Sequence, residues 1–185
     1  SEAFLRSGKW DVLRIESNEE LLGDVPNTWF HCVKELTRDG KWLAIEANPD
    51  LLWASPPCRE FSLAYAAPGP VAHREGREFH PDMSLLVAAI TLRGMLQPKY
   101  WCIENVVGAI PHFMPYLGPP TQIIGPFVLW HNLPRIAVDY DFRHNKSDQD
   151  TWSSNPLRQN LKGKLPLELS TAVMHAAEAP TLEDF

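Results

Sequence analysis

The chain has 185 residues, 44% of them hydrophobic and 22% charged, with a formal net charge of −6. That balance belongs to a globular domain large enough to bury a core, and it argues against a broadly basic, nonspecific nucleic-acid binder. Apolar runs fall short of the roughly 18 residues of a membrane helix, no basic-then-apolar leader opens the chain, and the three cysteines lack metal-ligand spacing, so the expected setting is reducing and cytoplasmic.

In chain order, Ser1 to Gly8 reads as the end of a helix, with Gly8 suited to a C-terminal cap. Trp10 to Ile15 reads as a strand stopping at Glu16-Ser17-Asn18, and Asn18 as the cap of a short helix through Leu22. Asn27 to Val33 is a third extended piece, and Leu51 to Ala54 a short buried strand. Pro68 to Phe79, rich in Gly, Pro, His and Arg without apolar period, reads as a long loop. Asp82 to Gln97 has the apolar face of a helix, ended by Pro98. Tyr100 to Ile103 is another buried strand, Ile110 to Pro120 a loop, and Ile123 to Trp130 and Arg135 to Tyr140 two further strands. Asp141 to Leu161 reads as irregular, and Pro166 to Ala177 as a helix opened by proline. Strands alternating with helices predict an α/β domain around a mainly parallel sheet, with ligands outside the carboxyl ends of its strands.

Three such ends carry reactive side chains. Cys58 follows the strand Leu51 to Ala54 behind Pro56 and Pro57, which remove two backbone donors and stiffen the approach to the sulfur. On spacing alone it is either a small buried hydrophobe or a nucleophile held in attack geometry. Glu104, after Tyr100 to Ile103, is either a capping or paired carboxylate or a proton donor to a substrate ring nitrogen. Asn105 beside it can orient its neighbours through hydrogen bonds. Glu16 is either a surface acid or an acceptor of ribose hydroxyls, as at the corresponding strand end of nucleotide-binding α/β folds.

"SPPC" at 55–58, followed by Phe61-Ser62, and "IENV" at 103–106 one helix and strand later, closely resemble the signature motifs of the cytosine-5 DNA methyltransferase family. "SEAFLRSGKWDVLRIESN" and "KGKLPLELSTAVMHAA" are more loosely similar to segments of its short, phage-type members. The resemblance implies a Rossmann-like, S-adenosylmethionine-dependent methyltransferase fold in a single catalytic domain, 1–185. It implies transfer of a methyl group to carbon-5 of cytosine in DNA, through a covalent adduct of Cys58 to carbon-6. Glu104 would hold or protonate ring N3, with Asn105 and Pro57 completing the catalytic set. Glu16, Ser17, Pro56 and Cys32 would face the cofactor, and Arg59, Ser62 and Arg135 the flipped cytosine.

The sequence also departs from the family. The glycine-rich cofactor loop (Phe-x-Gly-x-Gly) and its strand are missing before Ser1, so weak cofactor binding or inactivity is expected of this form. Arg59 stands where glutamine is common, and the Gln-x-Arg-x-Arg motif is missing, Arg135 in "HNLPRIAV" being the nearest candidate. No separate target-recognition domain fits in the remaining length. Alternatives are a catalytically dead domain binding nucleic acid or a protein, an RNA cytosine methyltransferase, and a thymidylate-synthase relative, which the "IENV" segment counts against. Basic clusters at Arg143 to Lys146 and Arg158 to Lys164 read as solvated surface or as a phosphate-facing edge. The histidines lack ligand spacing, so no metal is expected. The tryptophans read as packing residues, with Trp130 and Trp152 the two candidates for base stacking.

Overall fold

Leu51 to Ala54, apolar at every position, forms one strand of a four-stranded sheet in the computed structural model, which describes residues 2–18, 27–45, 47–138 and 163–179. The chain divides into two compact units, residues 36–132 and residues 1–35 with 133–185.

The sheet belongs to the unit 36–132. Its strands are β3 (Leu51–Ala54), β4 (Tyr100–Val106), β5 (Gln122–Ile124) and β6 (Phe127–His131), in the spatial order β3-β4-β6-β5. β3 and β4 run parallel, with Leu51 opposite Tyr100 and Ala54 opposite Ile103. β6 runs antiparallel to both of its neighbours. The sheet is therefore mixed, not the mainly parallel Rossmann-like sheet expected, although the α/β class holds.

The reversal has a local cause. Ile123 to Trp130 is not one strand but a hairpin, broken at Gly125-Pro126 with Ile124 paired to Phe127. Gly125 has φ +56°, which suits the first central position of a two-residue II′ turn, and proline's negative φ suits the second.

One face of this sheet is covered by helices. Ile103, Val128 and Trp130 pack there with Leu86 of α4 (Ser84–Leu96) and Phe113 of α5 (Ile110–Leu117), and Phe61 closes the cluster. Phe113 meets Phe61 edge-on at 5.0 Å and Trp130 at a tilt at 5.2 Å. Trp130 is only 1% exposed and its indole N–H donates to the Gly118 carbonyl, so it is a core residue and not a base-stacking platform. α4 ends on Gln97 in the left-handed region, just ahead of Pro98.

Two segments expected as loops are helices. α3 spans Pro68–Arg74 and α5 spans Ile110–Leu117. Pro68, Pro70 and Pro111 all lie in first turns, where a backbone N–H has no helical acceptor and its loss costs nothing. Only Pro115 removes a helical bond, and Gly118 at φ +75° ends α5 one residue after Leu117.

In the other unit, β1 (Arg14–Glu16) and β2 (Thr28–Phe30) pair in parallel, Arg14 opposite Thr28. β1 covers only the end of the strand expected over Trp10 to Ile15. α1 (Glu2–Ser7) packs against α6 (Leu167–Glu178), with Lys164 bonded to Glu2 at 2.8 Å and Trp10 Nε1 donating to Glu178 at 3.0 Å. α2 (Val33–Arg38), not foreseen, bridges the two units in sequence. No strand forms over 135–138; the rest of that expected strand lies outside the described residues, as do the helix after Asn18, the Arg143 to Lys146 cluster, nearly all of Arg158 to Lys164, and Trp152. Among the described residues no helix is long and apolar enough to cross a membrane.

Candidate functional site

The carboxyl ends of β3 and β4 lie side by side because the strands are parallel neighbours in register. Everything that follows β3, from Ser55 to Ser62, therefore leaves the sheet next to Glu104-Asn105-Val106. Pro57 is held at φ −51°, ψ 124°, and a short 3-10 turn over Cys58–Glu60 begins directly after it. The Phe61 N–H donates to the Cys58 carbonyl at 3.1 Å and closes that turn. Cys58 is half-buried, while Pro57 and Arg59 are exposed and Ser62 is half-buried. Ser62 Oγ accepts the Ala64 N–H at 3.2 Å and so shapes the chain beyond the turn.

β4 extends past the expected Tyr100 to Ile103, so that Glu104 and Asn105 sit within the strand. Alternation sends them to opposite faces. Glu104, 8% exposed, shares a face with Cys102 and stands opposite Leu129. Asn105, 1% exposed, lies opposite Val128 on the helix-covered face. Its Nδ2 donates to the Pro56 carbonyl at 2.9 Å, and its Oδ1 accepts the Val106 N–H at 2.9 Å. One side chain thus ties the loop carrying Cys58 to the strand carrying Glu104. Asn105→Ala should leave both half-buried partners short of a bond. We expect a loss of about 1–3 kcal/mol, read as a lower denaturation midpoint.

A second tie needs no side chain at all. Gly108, just beyond β4, packs so closely on the Cys58 segment that a Cβ there would lie 2.0 Å from the Phe61 carbonyl oxygen. Sequence reading missed Gly108; its only visible signal was a glycine soon after "IENV". A third contact fixes the turn from the other side, as Glu60 Oε2 accepts the Asp82 N–H at 2.6 Å just ahead of α4. A small cavity of about 140 Å³ lies between Pro56, Pro57, Arg59 and Leu86.

The three cysteines are chemically distinct. Cys102 is fully buried, and burial, helped by the negative charge of Glu104, pushes its thiol well above the usual range. It stays protonated and cannot serve as a nucleophile. Cys58 and Cys32 are half-buried and free of disulfides. Iodoacetamide under native conditions should therefore modify Cys58 well before Cys102, which peptide mass mapping would show; equal rates would contradict the burial difference.

Glu16, Ser17, Cys32 and Arg135 belong to the other unit. Glu16 ends β1 as a half-buried carboxylate whose Oε1 accepts the N–H groups of Ser17 at 2.9 Å and Asn18 at 3.0 Å. Oε2 lies 3.8 Å from Arg14. Cys32 is the residue before α2, and its carbonyl accepts the Glu35 N–H. Arg135 is exposed on the extended stretch after β6. The structure thus brings together Pro56, Pro57, Cys58, Arg59, Ser62, Glu104 and Asn105 within one unit. Among the described residues no group of His, Cys, Asp and Glu side chains could hold a metal ion.

The chain matches no protein-family model, and searches of the curated proteins and of the solved structures likewise find no match.

Proposed function

We propose that this chain activates a cytosine base of DNA for methylation at carbon-5, with Cys58 as nucleophile and Glu104 as proton donor. The observation that carries this reading is the Asn105–Pro56 hydrogen bond, which couples the Cys58 loop to the strand bearing Glu104. A thiol on a proline-stiffened turn and a buried carboxyl on the neighbouring strand suit addition to a ring that must be protonated as it is attacked. The "SPPC" and "IENV" motifs support the same assignment through their resemblance to cytosine-5 methyltransferases.

The Cys58 thiolate adds to carbon-6, and the electron pair displaced from the ring is balanced by a proton delivered to N3 from Glu104. Carbon-5 then carries enamine character and accepts an electrophile. Loss of the carbon-5 proton to water, return of the N3 proton to Glu104 and expulsion of the thiolate then restore the ring. S-adenosylmethionine, when bound, supplies the methyl electrophile. Glu16 belongs to the other unit, where a carboxylate at the end of a parallel strand suits a ribose hydroxyl by residue type alone. Among the described residues no glycine-rich cradle stands beside it, so the fit extends to the ribose alone.

Without cofactor, the same addition exchanges the hydrogen at carbon-5 with solvent. A cytosine oligonucleotide labelled with tritium at carbon-5 should release tritium to water in the presence of the chain. Glu104→Gln should slow that release by about 10²–10⁴-fold, the usual worth of a general acid. Absence of release from the unsubstituted protein would overturn the reading.

A further inference from the structure

We infer that the groove beginning two residues beyond Cys58 holds the nucleotide next to the target cytosine, with Arg74 on its phosphate; this rests on the cytosine-directed reading above. The groove is a cavity of about 430 Å³ bounded by Phe61, Ser62, His73, Arg74, Phe79 and His112. That volume falls within the roughly 300–1,000 Å³ of small-molecule sites. It shares Glu60 and Phe61 with the turn that positions Cys58, so whatever fills it is covalently close to the reacting base in a polynucleotide.

The chemistry of the walls selects the occupant. His73 and Arg74 stand on the α3 side, and His112 stacks at a tilt on Phe61 with ring centres 5.7 Å apart. Of the acids of this stretch, Glu60 lines the groove with one oxygen held by the Asp82 backbone N–H, while Glu75 pairs with Arg77 and Glu78 with His80 at 3.1 Å. The Arg74 guanidinium instead lies 3.8 Å from the centre of the Tyr65 ring. Tyr65 is 78% exposed and Leu63 72% exposed, an unusual apolar display on the segment that follows a nucleophile. On a chain of net charge −6, the Arg74 edge of the groove, with Tyr65 against it just outside the lining, offers a cation and an aromatic ring together. Phosphate and base of a nucleic-acid strand match that pair, the base stacking and the guanidinium meeting the backbone.

The test uses the full chain and a short fluorescent single-stranded DNA containing one cytosine, with anisotropy measured across a salt series. Tyr65→Ala should weaken binding roughly five- to hundredfold, the equivalent of losing one stacked base. Arg74→Ala should weaken it and reduce the magnitude of the log–log salt slope by about 0.7, the loss of one phosphate contact on a single strand. Leu43→Ala, at another highly exposed apolar position, should change neither. Both variants should release tritium from free deoxycytidine, which has neither a neighbouring nucleotide nor a phosphate, at the unsubstituted rate. Unchanged affinity and salt slope in Tyr65→Ala and Arg74→Ala would overturn the inference. Loss of tritium release in every protein, with DNA affinity still dependent on Arg74, would remove the cytosine chemistry and keep the groove as a nucleotide site.

Discussion

Cys58→Ala should abolish tritium release from carbon-5 of cytosine and leave the fold intact. Cys102 cannot replace its sulfur, being buried and held protonated. Cys58→Ser should be nearly as inactive, because a hydroxyl at its ordinary pKa is a far weaker nucleophile than a thiolate. Stability should change little in either variant, since Cys58 is half-buried and lies outside the packed cluster around Phe113. DNA containing 5-fluorocytosine provides the complementary readout. Its carbon-5 carries fluorine, so the hydrogen loss that frees the enzyme after methyl transfer cannot occur. A protein–DNA adduct should then accumulate when S-adenosylmethionine is supplied to a chain able to bind it. Exchange that persists in Cys58→Ala would reassign the nucleophile.

Gly108→Ala should be the most damaging single methyl addition in the unit 36–132. The added carbon would lie 2.0 Å from the Phe61 carbonyl oxygen and 3.1 Å from the Leu63 side chain. Leu63 is exposed and can turn aside, but the carbonyl belongs to the backbone that closes the Cys58 turn. Either the turn or the start of α5 must shift. Overpacking of this kind costs about 1–3 kcal/mol, and a chain of this size loses roughly 2–4 °C of melting temperature per kcal/mol. The expected result is therefore a lowered melting temperature together with at least a roughly tenfold slower tritium release, since small misplacements of reacting groups are expensive. Gly94→Ala is the contrast. Gly94 lies within α4 with open space where a Cβ would stand, and alanine there should raise stability by about 0.5–1 kcal/mol. A Gly108→Ala protein that melts and exchanges like the unsubstituted chain would show that the two segments are not coupled at this point.

The two ties explain why the motifs sit where they do. Pro56 and Pro57 cannot donate hydrogen bonds, so the prolines can be held only as acceptors, as the Pro56 carbonyl is. Asn105 supplies the donor from β4, and Gly108 lets the returning chain approach. Glu104 alternates to the other face, where it sits beside the Cys102 thiol and opposite Leu129. Adjacent residues in one strand thus hold different tasks because strand geometry sends them to opposite sides.

Local signals were enough for the strand Leu51 to Ala54, the helix before Pro98 and the α/β class. Continuous apolar runs and proline punctuation are local signals, and they survive whatever the rest of the chain does. The same punctuation misled at Pro68 and Pro111, where proline opens a helix, and at Gly125-Pro126, where it turns a hairpin. Those cases turn on packing, since a first-turn proline and a loop proline look alike until the following residues find something to pack against. Strand direction was likewise beyond local reading, for β6 is antiparallel because a two-residue turn leaves no length for a crossover. The role of Gly108 was the least legible. A missing side chain carries meaning only when another segment of the chain, here the Phe61 carbonyl, comes to occupy its place.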